Sequence, residues 1–228
     1  MSLLQTLVSA GAAALMTLSA PLDTLAPQND VSGTLFLVNR QNTITEAYEP
    51  EDLVEAQVSG SVRRMRAEAA AALEEMFAAC REETRLTLIS VSGYRSWSKQ
   101  NNIWQRKLRS VKKNVEKAQE YVAPPGASEH QLGLAMDIGQ KSKAHLTEAF
   151  GKTEGGKWAR ENCWRFGFIL RYAEEWEEIT GYKFEPWHFR YVGREYAKEI
   201  HDAGIPFETW LIRYRTDLLT GLLEEGTE

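Results

Sequence analysis

The sequence predicts an α+β fold, with a small, largely antiparallel sheet flanked by helices. Three observations carry that reading. Apolar residues recur at three- and four-residue steps across Ser61 to Cys80, Trp97 to Ala118 and Phe207 to Leu219, the period of amphipathic helices. Short β-rich runs such as Leu86-Thr87-Leu88-Ile89-Ser90-Val91 lie among them. Helices stand before and between the strands, and the connections are short.

Taken in order, Pro21 to Asp30 reads as a linker, and Thr34 to Val38 as a short strand followed by a turn at Asn39 to Asn42. Ser61 to Cys80 is the clearest helix. Val62, Met65, Ala69, Leu73, Met76, Phe77 and Cys80 form its apolar stripe, and Arg63, Arg64, Glu68, Glu74 and Glu75 take the other face. Leu86 to Val91 is a buried strand that Gly93 ends. Trp97 to Ala118 is a second helix, with Trp104, Leu108, Val111 and Val115 on one face. Its lysines and arginines read as a solvated face, since Glu116 and Glu120 interrupt them and no aromatics interleave. Leu134 to Ile138 is a strand, Gly151 to Gly156 a polar connection, and Trp158 to Trp164 a short helix. Phe166 to Tyr172 and Trp187 to Tyr191 read as strands. Gly204 stops a helix over Arg194 to Ala203, and Phe207 to Leu219 forms the last one.

The 228 residues are 43% hydrophobic and 26% charged, which suits one large globular domain with short terminal additions. The expected division is 1–30 as an apolar segment and linker, 31–213 as the domain, and 214–228 as a helix end and tail. A net charge of −5, with basic and acidic residues interspersed, offers no stripe for nucleic acid. Leu3 to Ala20 resembles an export-signal core with a weak cleavage site, although no basic residue precedes it. It is too diluted by polar residues for a stable membrane span. The expected location is therefore the cell envelope or the exterior, with the cytoplasm as the alternative. Cys80 and Cys163 read as buried free thiols, with a single disulfide between them as the alternative.

Two stretches carry the chemistry. Ser128-Glu129-His130-Gln131-Leu132-Gly133-Leu134-Ala135-Met136-Asp137 offers a His and an Asp with six residues between them. Glu185-Pro186-Trp187-His188 offers a second His with a Glu three residues before it. Two imidazoles and a carboxylate suffice for a catalytic zinc with one open position, and a further carboxylate could accept a proton from its water. His145 and His201 read as structural.

These stretches, together with Ser92-Gly93-Tyr94-Arg95-Ser96 and the continuation Phe189-Arg190-Tyr191-Val192-Gly193, resemble the VanY-type zinc D-alanyl-D-alanine carboxypeptidases. The likeness runs from about Leu37 to about Leu211. It implies that His130, Asp137 and His188 bind Zn2+, that Glu185 is the catalytic base, and that Arg95 faces the substrate carbonyl or carboxylate. Ser128 and Gln100 would be polar groups of the substrate pocket. The implied substrate is a peptidoglycan stem peptide ending in D-alanine, of D,D or L,D type. The alternatives are a cell-wall endopeptidase and a non-catalytic zinc-containing binding module.

Overall fold

The structure, a computed structural model, describes residues 30–141 and 146–225. The apolar segment near the N-terminus, most of the linker, His145 and the last tail residues lie outside the described residues. The elements run in the order β1 (Leu53–Glu55), β2 (Arg64–Arg66), α1 (Ala67–Thr84), β3 (Leu88–Ser92), α2 (Trp97–Ser110), α3 (Val115–Gln119), β4 (Ala135–Gln140), α4 (Glu154–Asn162), β5 (Phe168–Leu170), α5 (Glu177–Thr180), β6 (His188–Tyr191), α6 (Arg194–Ala203) and α7 (Phe207–Glu225). Among the described residues no helix is long and apolar enough to cross a membrane.

β1 and β2 form a small hairpin. The main sheet has the order β3-β4-β6-β5 with every pair antiparallel, as the sequence predicts. Side chains alternate between the two faces of a strand, and the strands obey that rule here. Met136, Ile138, Phe189, Tyr191, Phe168 and Leu170 enter the core cluster shared with Leu73, Met76 and Cys80 of α1. Ile169 belongs instead to a second cluster with Ala197 and Ile200 of α6 and Phe207, Trp210 and Leu211 of α7. By the same alternation Asp137, His188 and Arg190 turn away from the α1 core. Truncating fully buried Phe189 to alanine would cost about 3–5 kcal/mol.

Several boundaries differ from the sequence reading. The first long helix starts at Ala67, because Arg64-Met65-Arg66 pairs with Leu53 to Glu55 before the helix begins. The second breaks after Ser110, where Lys112 and Lys113 take left-handed backbone at φ 55 and 64. Thr34 to Val38 is not a strand; the Thr34 and Phe36 carbonyls accept from the Arg190 guanidinium. The polar connection at Gly151 to Gly156 already contains the start of α4, whose Thr153 cap accepts from the Gly156 amide at 3.0 Å. Trp164 falls in a tight 3-10 turn after α4, and the last helix continues beyond Leu219. Cys80 and Cys163 are both buried free thiols.

Candidate active site

The site is built on the two central strands. Asp137 of β4 and His188 of β6 are register partners, directly opposite each other. His130 comes from the 3-10 turn Glu129–Leu132, which Gly133 closes at φ 69. That turn is anchored where the Arg95 amide donates to the His130 carbonyl at 3.1 Å. Gly93 is required beside it, since a Cβ there would stand 2.5 Å from the Arg64 carbonyl oxygen. Glu185 returns to His188 through a turn closed by the His188 amide on the Glu185 carbonyl at 3.1 Å, with Pro186 second in the turn.

The hydrogen bonds define which ring atoms are bare. His130 Nδ1 donates to the Gly93 carbonyl at 2.8 Å, so its Nε2 carries a lone pair. His188 Nε2 donates to Glu129 Oε2 at 3.1 Å, leaving Nδ1 bare. Both bare nitrogens face Asp137 Oδ1, at 3.3 and 3.2 Å, and that oxygen is buried without a hydrogen bond among the described residues. Three acceptors converging in a buried place repel one another unless a proton or a metal cation sits among them. One ligand atom from each of His130, Asp137 and His188 falls within a 4.8 Å cluster. Two imidazoles and a carboxylate are a donor set that suits zinc.

Charge around this triad is graded. Asp137 is held well below the usual carboxylate range, because the nearby imidazoles outweigh the opposing effect of burial. Burial, reinforced by Arg95, lowers His130 to about 4. Burial also opposes charge on His188, but the Asp137 and Glu129 carboxylates beside it win and raise it to about 9 in the metal-free site. Glu185, with Oε2 at 3.7 Å from His188 Nδ1, is pushed up to about 8 by burial, against the pull of His188 and Arg95.

All the residues singled out in the sequence line one cavity of about 340 Å³: Arg95, Gln100, Ser128, His130, Asp137, Glu185 and His188. Arg95 Nη1 lies 3.5 Å from Asp137 Oδ2 and donates to Ser92 Oγ, while its Nε donates to Gln100 Oε1 at 3.0 Å. Gln100 Nε2 in turn donates to the Ala123 carbonyl at 2.7 Å, so both ends of this amide are engaged. Ser128 is buried and makes no side-chain cap bond. Trp187 joins the wall. His201 is apart from the site, stacked on Trp164 at 4.9 Å.

Sequence reasoning missed a buried charge cluster behind the triad. Glu129 accepts from Arg171 Nε at 2.8 Å and from Arg190 Nη1 at 3.1 Å, besides His188. Burial works against its charge, but the two arginines overcome it and keep the carboxylate ionised. Arg171 continues to Glu208 at the start of α7, and Arg190 to the backbone of Thr34 and Phe36. Tyr172 and Tyr182 were also missed. Tyr172 packs on His188 at 4.9 Å, and the Tyr182 hydroxyl is buried without a hydrogen-bond partner among the described residues. The strand period alone places Arg190 on the face of His188, a clue available in the sequence.

A metal-type donor triad with an adjacent carboxylate, set on an antiparallel sheet, defines a metallopeptidase-like class. A family profile described as VanY, D-alanyl-D-alanine carboxypeptidase, matches residues 62–194. The D-alanyl-D-alanine carboxypeptidase of Enterococcus faecalis is 38% identical over 185 residues, covering 78% of this chain and 65% of the relative. Among solved structures, the LdcB LD-carboxypeptidase is 45% identical with a TM-score of 0.75, covering 80% of this chain and 87% of that one. A VanY D,D-pentapeptidase from a VanB-type resistance cassette, solved as a mutant in complex with Zn(II), is 39% identical with a TM-score of 0.67, covering 78% and 98%. The chain belongs to the VanY family of D-alanyl-D-alanine carboxypeptidases. It is a carboxypeptidase of D-Ala-D-Ala or L,D type.

Proposed function

We propose that this protein removes the C-terminal D-alanine from peptidoglycan stem peptides at the cell envelope. In this reading His130, Asp137 and His188 hold zinc and Glu185 is the general base. The observation that carries it is the convergence of three bare donor atoms beside Glu185 and Arg95 in one cavity.

Zinc, when bound, supplies a more acidic water and polarises the scissile carbonyl. The chain's own groups do the rest. Glu185 takes a proton from the attacking water as its oxygen bonds to the carbonyl carbon. When the C–N bond breaks, Glu185 returns that proton to the leaving amine of D-alanine. Burial raises the proton affinity of Glu185, and bound zinc would favour the ionised form that can accept the proton. Arg95 pairs with the terminal carboxylate of the substrate, and Nη2, which makes no hydrogen bond among the described residues, is its available donor. Gln100 holds Arg95 in place, and Ser128 adds a hydroxyl to the pocket. His130 and His188 keep their tautomers through Gly93 and Glu129.

The test is release of D-alanine from defined tripeptide, tetrapeptide and pentapeptide stems by the zinc-loaded protein. Cleavage of the pentapeptide alone assigns D,D specificity, and cleavage of the tetrapeptide assigns L,D specificity. No D-alanine from either would overturn the proposal.

A further inference from the structure

The helical hairpin of α2 and α3 carries positive charge that the catalytic site does not use. Lys99, Arg106 and Arg109 lie seven and three residues apart, which puts them on one stripe of α2. Arg106 and Ile103 of that helix line the active-site cavity, so the stripe begins at its wall. The stripe runs about 15 Å along the helix beside the cavity and passes beyond it at Arg109. Lys112 and Lys113 extend it through the turn, and Lys117 extends it onto α3, where Glu116 and Glu120 interrupt it; all of these basic side chains are exposed.

None of these six cations forms an ion pair among the described residues, whereas Arg63, Arg64, Arg160, Arg165, Arg194 and Lys198 elsewhere each hold a carboxylate. Solubility does not account for them. The chain is acidic, with a net charge of −5, and would be more highly charged without them. Arg106 and Arg109 stand three apart on a helix, where like charges repel. Lys112 and Lys113 occupy left-handed backbone that side-chain-bearing residues rarely adopt. A surface that keeps such repulsion beside a cavity mouth is complementary to an external anion.

We propose that this face docks the polymer bearing the stem peptides, a chain of repeated carboxylates. One stem enters the cavity while the carboxylates of its neighbours lie along α2 and the turn. The proposal rests on the function argued above and adds to it a preference for polymeric over single-peptide substrate. A lipid surface fits less well, because Val115 and Tyr121 are the large exposed apolar side chains on this hairpin and do not make an inserting face. A single-stranded nucleic acid would need stacking rings, but Trp104 is buried and one face of the Tyr121 ring is taken by Lys107 at 3.9 Å.

The test measures binding of the zinc-loaded protein to insoluble peptidoglycan stripped of phosphodiester-linked polymers. Its variant is Arg109→Gln/Lys112→Asn/Lys113→Asn. Asparagine tolerates the left-handed turn, so the fold is kept. Half-saturation should move roughly tenfold or more to higher concentration in the variant, and salt should bring wild type to the same level. Hydrolysis of a single soluble stem peptide at saturating concentration should stay within about twofold, because Arg109, Lys112 and Lys113 do not line the cavity and a charge outside it acts mainly on association. Lys99→Gln/Lys117→Gln should weaken binding in the same direction. Unchanged binding in the first variant overturns the proposal. So does loss of wild-type binding once phosphodiester polymers are stripped, or tighter binding to anionic vesicles than to the stripped polymer. A parallel fall in soluble-peptide hydrolysis would place these residues in the catalytic site and overturn docking. The binding assay requires no turnover, so failure of the catalytic reading shows separately, as absent D-alanine release.

Discussion

Glu129 Oε2 accepts the Nε2 proton of His188 at 3.1 Å, and that bond turns the ring so that Nδ1 faces Asp137. A carboxylate behind a metal-binding imidazole fixes its tautomer and raises its basicity. Here the carboxylate is itself clamped by Arg171 and Arg190. Glu129→Gln should therefore weaken zinc binding by roughly 10- to 100-fold in chelator competition. It should also destabilise the metal-free protein by about 3 kcal/mol in urea unfolding, because buried Arg190 loses its carboxylate partner and Arg171 keeps only Glu208. A variant that lost stability but held zinc as tightly as wild type would reduce Glu129 to charge balance.

Glu185 is cast as base and not as ligand. Glu185→Gln should retain about one zinc per chain by elemental analysis, with three remaining protein donors. Turnover should fall by roughly 10²–10⁴-fold or more. Near-normal activity in this variant would falsify the proton-transfer scheme.

Metal uptake should release protons. With no metal, His188 at about 9 and Glu185 at about 8 are both mainly protonated at neutral pH. A metal takes the His188 lone pair, and its charge favours the ionised form of Glu185. Titration calorimetry in buffers of different ionisation enthalpy should count between about one and two protons per zinc at pH 7. The sign for stability follows. Both folded-state values lie above the unfolded ones, so their contribution is complete at low pH. For Glu185 it is lost from 4.5 up to about 8, and for His188 from 6.5 up to about 9. These two groups therefore make metal-free Tm fall as pH rises through that window, and zinc should flatten the fall.

A carboxypeptidase must recognise a chain end. A buried donor left without its anion is costly, so amidating the terminal D-alanine should lower kcat/KM heavily. Arg95→Lys should lower it too, because an ammonium lacks the planar fork that now spans Gln100, Ser92 and the cavity. Equal rates on amidated and free-acid peptides would favour the endopeptidase reading instead.

The thiols should be inert. Burial pushes Cys163 up to about 12, and burial likewise raises Cys80. The thiolate is the reactive form. Alkylating reagent at pH 8 should therefore modify neither residue until the protein unfolds, and reductant should leave Tm unchanged. A drop in Tm on reduction would restore the disulfide alternative.

The triad and Glu185 were legible because their chemistry sits in two short stretches, and the strand period then brings Asp137 opposite His188. The charge cluster was not legible. Glu129, Arg171 and Glu208 are far apart in sequence, and an ion network over such separations leaves no local pattern. Element borders failed where the period was ambiguous. Arg64-Met65-Arg66 fits a strand and a helix face equally, and the α2 break carries neither Gly nor Pro, so nothing local marked it. Thr34 to Val38 has strand composition, but two of its carbonyls are used by a side chain from β6. Local preference lost there to a long-range contact.

The tethers of Arg190 and Arg171 also set how this enzyme can be divided or inherited. Residues 62–194 contain every donor of the triad, yet the carbonyls of Thr34 and Phe36 and the carboxylate of Glu208 lie outside them. A fragment trimmed to the motif-bearing stretch would free both arginines from one of their anchors and loosen the grip on Glu129. Gene fusion or recombination that kept the motifs and exchanged the flanks would meet the same penalty. The modular unit of this site is therefore longer than its signature, reaching at least from Thr34 to Glu208.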